Sequence, residues 1–189
     1  MKSNFFKYLI PRKDIDFMSN TIQTEYDTQD YKIKLIRNNK VYNYSTYKYI
    51  CTIEIYNKVG LKIDTISTNE IEIIKLLDNL FYGIDNNTEV YCYLNNISNT
   101  GNYNSIKLDI TYDPLSGDYV YILNILKFNI PLSLLTTIAS INFYGLSDIY
   151  NFLDLMYMTF LVNNIDISNY NIEDNLISDE FTSLQLDDL

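Results

Sequence analysis

The sequence predicts an α+β fold: an antiparallel, meander-like β-sheet covered by two α-helices and followed by an acidic C-terminal tail. Three observations carry this reading. Apolar and polar residues alternate with period two through much of residues 31–130, two stretches switch to helical spacing, and the residues beyond 162 keep neither pattern. The chain has 189 residues, 47% of them hydrophobic and 20% charged, which suffices for one buried core. Residues 1–30 are mixed and polar and read as an N-terminal arm. Residues 31–162 read as one domain, and residues 163–189 as the tail.

The first strand begins at Tyr31, where Tyr31, Ile33 and Leu35 alternate with Lys32 and Lys34. Asn38-Asn39 suits a turn, because asparagine tolerates positive φ, and a strand over 40–45 returns through Val41 and Tyr42. From Tyr47 to Tyr56, the residues Tyr47, Tyr49, Cys51, Ile53 and Ile55 share one face. Another strand is expected over 59–66.

A helix over 68–82 follows. Ser67 and Glu70 fit a capping box, Ile71, Ile74, Leu77 and Phe81 mark a core stripe, and Gly83 stands where a glycine ends a helix. Strands resume over 90–94, 106–112, 119–130 and 134–143, with Asp113 to Asp118 as a hairpin connection. The last helix opens near Ser147, its proposed N-cap, and runs to about Leu161. Its core face is Ile149, Phe152, Leu153, Met156 and Phe160, and Asp148 suits the positive end of the helix dipole.

Several chemistries are excluded. The chain has no histidine, so Ser-His-Asp and Cys-His catalysis and histidine-containing zinc sites are absent. Two cysteines, Cys51 and Cys92, cannot make a four-thiolate site, and both lie in apolar strands where a small buried side chain is expected. No phosphate-cradling glycine motif occurs. Close acidic pairs such as Glu70/Glu72 and Asp187/Asp188 do not form a trusted metal or glycosidase pattern. No enzyme, cofactor or metal site is expected. Apolar stretches stop short of the roughly 20 residues of a membrane span, and no signal-peptide pattern is present, so a cytoplasmic location without membrane association is expected.

The counts of 27 Ile, 24 Asn, 19 Tyr and 12 Lys against one Ala and two Arg follow AT-rich codons and point to an AT-rich bacterial, phage or viral genome. Tyrosine abundance alone is therefore no sign of a stacking surface. Charge is more informative. The net charge is −10, but residues 1–62 hold 11 basic and 6 acidic residues, whereas residues 63–189 hold 3 and 18. An acidic face of this kind steers association with a basic partner. Asp148, Asp154, Glu173, Asp174, Asp179 and Glu180, with Phe181 as an apolar anchor, are the candidate contacts.

Within the basic part, Lys32, Lys34, Arg37, Lys40, Lys48, Lys58 and Lys62 interleave with tyrosines that include Tyr42, Tyr44 and Tyr56. Strands bearing cations and aromatics grip single-stranded nucleic acid. Lys32, Lys34, Arg37, Lys40, Tyr42, Tyr44 and Lys48 are the candidates for that role. The ending Leu184-Gln185-Leu186-Asp187-Asp188-Leu189 looks like the acidic tails of phage single-stranded-DNA-binding proteins.

From Tyr47 to about Leu161, the strand pair before the helix at Ser67 to Gly83, the strands after it and the final helix opened by Gly145-Leu146-Ser147-Asp148 resemble small bacterial immunity proteins of polymorphic toxin systems, of the cell-wall-associated-toxin type. The resemblance implies a non-catalytic inhibitor of a toxin. Three functional expectations follow: an acidic immunity- or inhibitor-type module that docks on a basic protein, a single-stranded-nucleic-acid-binding protein with an acidic tail, or a viral or phage assembly subunit.

Overall fold

In the computed structural model, residues 21–38, 49–95, 97, 102–129 and 133–162 are described. They form β1 (Thr21–Asp27), β2 (Tyr31–Asn38), β3 (Ile50–Asn57), β4 (Lys62–Asn69), α1 (Glu70–Asp85), β5 (Val90–Leu94), β6 (Asn102–Asp113), β7 (Asp118–Asn129), β8 (Leu134–Tyr144) and α2 (Leu146–Phe160). The class is α+β and every strand pair is antiparallel, but the expected single sheet is two. Strands β1-β2-β3-β4 make one four-stranded meander and β5-β6-β7-β8 a second, each followed in the chain by a helix. Alternating strands fit either arrangement; α1 separates β4 from β5, and the two do not pair.

The inner faces of both sheets share one core. Ile33 and Leu35 of β2, with Ile53 and Ile55 of β3, meet Leu108, Leu123, Ile125 and Ile141 of the second sheet, and both helices fill the space between. Leu76 and Leu80 of α1 come within one cluster with Phe152 and Met156 of α2, around a residual apolar cavity of about 20 Å3. Tyr26, Phe143 and Phe152 form an aromatic trio, with centroids 5.2–6.1 Å apart, that ties β1 to β8 and α2. Cys51 and Cys92 are buried and unbridged.

A buried polar bridge pins the sheets to each other. Asp64 of β4 accepts hydrogen bonds from Asn104 Nδ2 of β6 at 3.0 Å and from Lys127 Nζ of β7 at 2.9 Å. Asn104 is fully buried and Asp64 nearly so, which makes each bond costly to remove.

Boundaries move in informative ways. The stretch 1–30, read as an arm, supplies β1, which pairs with β2 along its whole length from Thr21↔Asn38 to Asp27↔Lys32. Its inward residues Ile22, Thr24 and Tyr26 are too mixed to signal a strand. The strand expected over 40–45 and the tail over 163–189 lie outside the described residues. The N-cap of α1 is Asn69, whose side chain accepts from Glu72 N at 2.9 Å. Ser67 remains in β4, where its hydroxyl meets Thr52 Oγ1. The core stripe of α1 is Ile73, Leu76, Leu77, Leu80, Phe81 and Ile84, and Ile71 is exposed. The run Ile71-Glu72-Ile73-Ile74-Lys75-Leu76-Leu77 contains two overlapping stripes of helical spacing, and the packing selects one.

Gly83 lies inside α1 rather than beyond it. A Cβ there would sit 2.8 Å from Thr88 O and 2.9 Å from Leu108 Cδ2, so the glycine permits the close approach of α1 to β5 and β6. Helix α2 is capped by Gly145 at φ 96°, two residues before the expected Ser147, and its core face is as the spacing predicts.

Asp64→Ala should lower stability by about 1–3 kcal/mol, because it removes the acceptor that Asn104 of β6 and Lys127 of β7 share at the sheet junction; chemical denaturation with an unchanged m-value tests this. Burial raises the Cys92 thiol from 9.0 to about 11 and the Tyr150 phenol from 10.0 to about 12. The unfolded chain therefore releases these protons first, and the contribution of these two groups should be constant from neutral pH to about 9 and fall between about 9 and 12 as pH rises. Denaturation midpoints measured across that range report the slope.

Candidate nucleic-acid interface

The inward faces are consumed by the core, so among the described residues the broad surfaces that remain are the outward faces of the two sheets. On the first sheet, cross-strand register builds rows. One row runs Asp27, Lys32, Tyr56 and Lys62 across β1 to β4, and the next runs Glu25, Lys34, Glu54 and Thr65. Lys32 and Lys34 point outward because they alternate with the buried Ile33 and Leu35.

These rows gather three lysines and one tyrosine, and the β3–β4 hairpin adds Lys58. Lys34 Nζ lies 5.0 Å from the centroid of the Tyr56 ring and Lys62 Nζ 5.8 Å from it. The Tyr56 hydroxyl donates to Glu54 at 2.7 Å, and Lys62 donates to the same carboxylate at 2.9 Å. Partial burial pushes the Glu54 pKa up, but the hydrogen bonds from Lys62 and Tyr56 outweigh it and hold the carboxyl below its usual range. Tyr56 is raised by its hydrogen bond to Glu54, and Lys62 likewise. Lys32 and Lys34 approach Glu25 at 3.3 and 4.0 Å, and Lys58 approaches Asp27 at 3.9 Å.

Beside this cluster is an open groove of about 350 Å3, lined by Glu25, Asp27, Lys32, Lys34, Tyr56 and the β3–β4 hairpin from Asn57 to Gly60. The hairpin is fixed from within. Asn57 Oδ1 accepts from Val59 N at 3.1 Å and Leu61 N at 2.9 Å, and Gly60 takes φ 91°.

The other residues singled out from the sequence fall elsewhere. Arg37 faces inward at 6% exposure, with its guanidinium 4.1 Å from the centroid of the Tyr49 ring, so it serves the core and not the outer surface. Its parity with Ile33 and Leu35 gave the signal. Tyr49 donates to Phe160 O at 2.6 Å. Lys40, Tyr42, Tyr44 and Lys48 lie outside the described residues.

Of the acidic set, Asp148 accepts from the Tyr26 hydroxyl at 2.6 Å and from Tyr144 N at 3.1 Å, which ties α2 to β1 and β8. Burial first, and then Asp148, push the Tyr26 phenol far above its ordinary pKa. Asp154 is buried in α2 at 6% exposure. Glu173, Asp174, Asp179, Glu180 and Phe181 lie outside the described residues. Among the described residues, no group of three or more Cys, Asp or Glu side chains is placed to hold a metal ion, and no helix is long and apolar enough to cross a membrane.

The counter-charges Glu25, Asp27 and Glu54 carry no local signal, since they meet the lysines only through strand register and the hairpin. Lys58 and Lys62 lay in the basic segment but gained their place from the hairpin.

No family model and no curated protein matches the chain. Among solved structures, the plant transcriptional regulator PBF-2 matches with a TM-score of 0.43 and 10% sequence identity, over 86% of this chain and 97% of that one.

Arg37→Lys should cost about 1–3 kcal/mol of stability, since an ammonium cannot replace the planar stack on Tyr49, and should leave binding at the outer face unchanged. Urea denaturation beside a binding titration separates the two effects.

Proposed function

We propose that the protein is a non-enzymatic single-stranded-nucleic-acid-binding protein that holds its ligand on the outward face of β1 to β4. The observation that supports this best is the placement of Lys32, Lys34, Lys58 and Lys62 around Tyr56 beside an open groove. Phosphates would meet the lysines, and a base would meet the tyrosine rim. The ion pairs of these lysines are surface pairs, with Lys32, Lys58 and Lys62 more than 40% exposed. Such pairs are worth little, so a phosphate can take the place of a carboxylate at small cost. Because the contacts are lysine–phosphate pairs, binding should weaken as salt rises, with a slope of roughly 0.7 per phosphate contact.

A second reading keeps the acidic docking role, and with it the immunity-type resemblance. Its support is the run of residues 163–189, which holds seven acidic residues and no basic one. Asp148 and Asp154, the two members of the proposed acidic face inside the fold, are occupied by packing and hydrogen bonds, so this reading rests on the tail alone.

Fluorescence anisotropy with an oligodeoxythymidine of about 15 nucleotides tests the first reading. Replacing Lys32, Lys34 and Lys62 together with Ala should weaken binding by at least about tenfold at low salt and reduce the salt slope by about 2, at roughly 0.7 per phosphate contact. Binding that ignores these changes, or an affinity for duplex equal to that for single strand, counts against it.

A further inference from the structure

The outward face of the second sheet carries an aromatic pair of its own. Tyr91 and Tyr93 alternate with the buried Cys92 and Leu94, so both rings project from the same side of β5. They are 40% and 65% exposed, and their centroids lie 5.2 Å apart at an interplanar angle of 60°. β5 is the edge strand of its sheet.

The surroundings hold this pair in place. Tyr91 stands directly opposite Lys107 and Tyr93 opposite Ser105. The Ser105 hydroxyl donates to the Tyr91 hydroxyl at 3.2 Å, and Ser105 is itself buried, which fixes one ring of the pair. Asp109 is taken up by Lys107 at 3.0 Å and by the Asn124 amide, and the exposed Glu89 adds a second negative charge near Lys107. Asn124 in turn accepts from Ser140 at 2.6 Å. The tyrosines thus sit beside a polar row whose cation, Lys107, is paired with Asp109.

The chain segment after β5 is bonded to the end of β4. Beyond β5 the chain returns to β4, where Ile97 N donates to Ser67 O at 2.7 Å and the Thr68 hydroxyl donates to Asn95 O at 2.7 Å. Ser67 belongs to the outward row that continues from Lys62 along β4, about 17 Å from it at 3.3 Å per residue.

We infer that Tyr91 and Tyr93 form a second subsite, a base-stacking platform for the same single strand whose phosphates are held by the lysines of the first sheet. The inference rests on the proposed function and adds where the bases go. An aromatic face is indifferent to base identity, so the platform gives affinity without sequence preference. Lys107 supplies a phosphate contact beside it.

The test uses the full chain and an oligodeoxythymidine of about 15 nucleotides. Tyr91→Ala with Tyr93→Ala should weaken binding by about 10- to 100-fold, while Tyr91→Phe with Tyr93→Phe stays within about threefold. The salt slope should not change, because no cation is lost. Tyr93→Ala alone, at the more exposed position, carries the test if the double variant fails to fold. An oligonucleotide bearing photoreactive 5-iodouracil should crosslink to Tyr91 or Tyr93 in the wild-type chain. Wild-type affinity in Tyr93→Ala, together with loss of binding in the lysine variant, overturns the platform and leaves the first-sheet reading standing. Absence of any oligonucleotide binding by the wild-type chain overturns both.

Discussion

Each four-stranded sheet has one apolar face, and neither α1 nor α2 is broad enough to cover such a face by itself. The fold therefore depends on the two sheets burying their inner faces in a common core, with a helix from each half closing it. Apolar burial is not directional, so it fixes compactness but not how the sheets lie on each other. The Asp64 bridge supplies direction. Its carboxylate has to meet an amide on β6 and an ammonium on β7 at once, and few placements of the sheets satisfy both. The Asp148 contacts act similarly at the far end of the chain, where one carboxylate joins β1, β8 and the first turn of α2.

This closure decides what is left for function. With the inner faces and most of both helices committed, the broad surfaces that remain are two outward sheet faces. Register then controls their chemistry. Lys32 and Lys34 are two among 11 basic residues in a count of charges over residues 1–62, but Tyr56 opposite Lys32 and Glu54 opposite Lys34 turn them into a cation–aromatic cluster with its own counter-ions. An acidic chain with such a cluster differs from a uniformly basic binder. At long range such a chain repels a polyanion, so under the proposed function affinity would come from contacts made at the surface, where phosphates would have to displace the paired carboxylates.

Much of this was legible in the sequence, and the failures have physical causes. Elements whose pattern is self-contained were found: β3, β5, the β6–β7 hairpin, α2 and its core stripe each carry their periodicity within a dozen or so residues. What depends on a distant partner was not. The strand β1 alternates a mixed set of side chains and exists because β2 offers it an edge. The division into two sheets is decided by the space α1 occupies. The start of α1 shifts to Asn69 because Ser67 and Thr68 find partners on β3 and after β5, Thr52 and Asn95. Arg37 is the sharpest case at the candidate site. By composition it belongs with Lys32 and Lys34, and by parity it belongs with Leu35; burial follows parity.

The tyrosines show how position recovers what composition hides. Codon usage accounts for the abundance of the residue, and the fold then sorts the copies by what their hydroxyls can reach. Tyr26, Tyr49 and Tyr150 each direct the hydroxyl to an acceptor on a distant element, Asp148, Phe160 O and Asp85 respectively, so their polar ends help to close the core. Burial drives up the pKa of all three, as expected for phenols held away from water. Tyr91 and Tyr93 belong to a different class. Their rings add little to the core, yet they are paired, and Tyr91 is held by Ser105, a residue that is itself buried. A ring placed only by codon bias on an exposed strand has no need of such support. Ordering an exposed side chain costs entropy that burial does not repay here, and the inferred stacking platform would draw its advantage from that ordering, since a face held in advance loses less on binding.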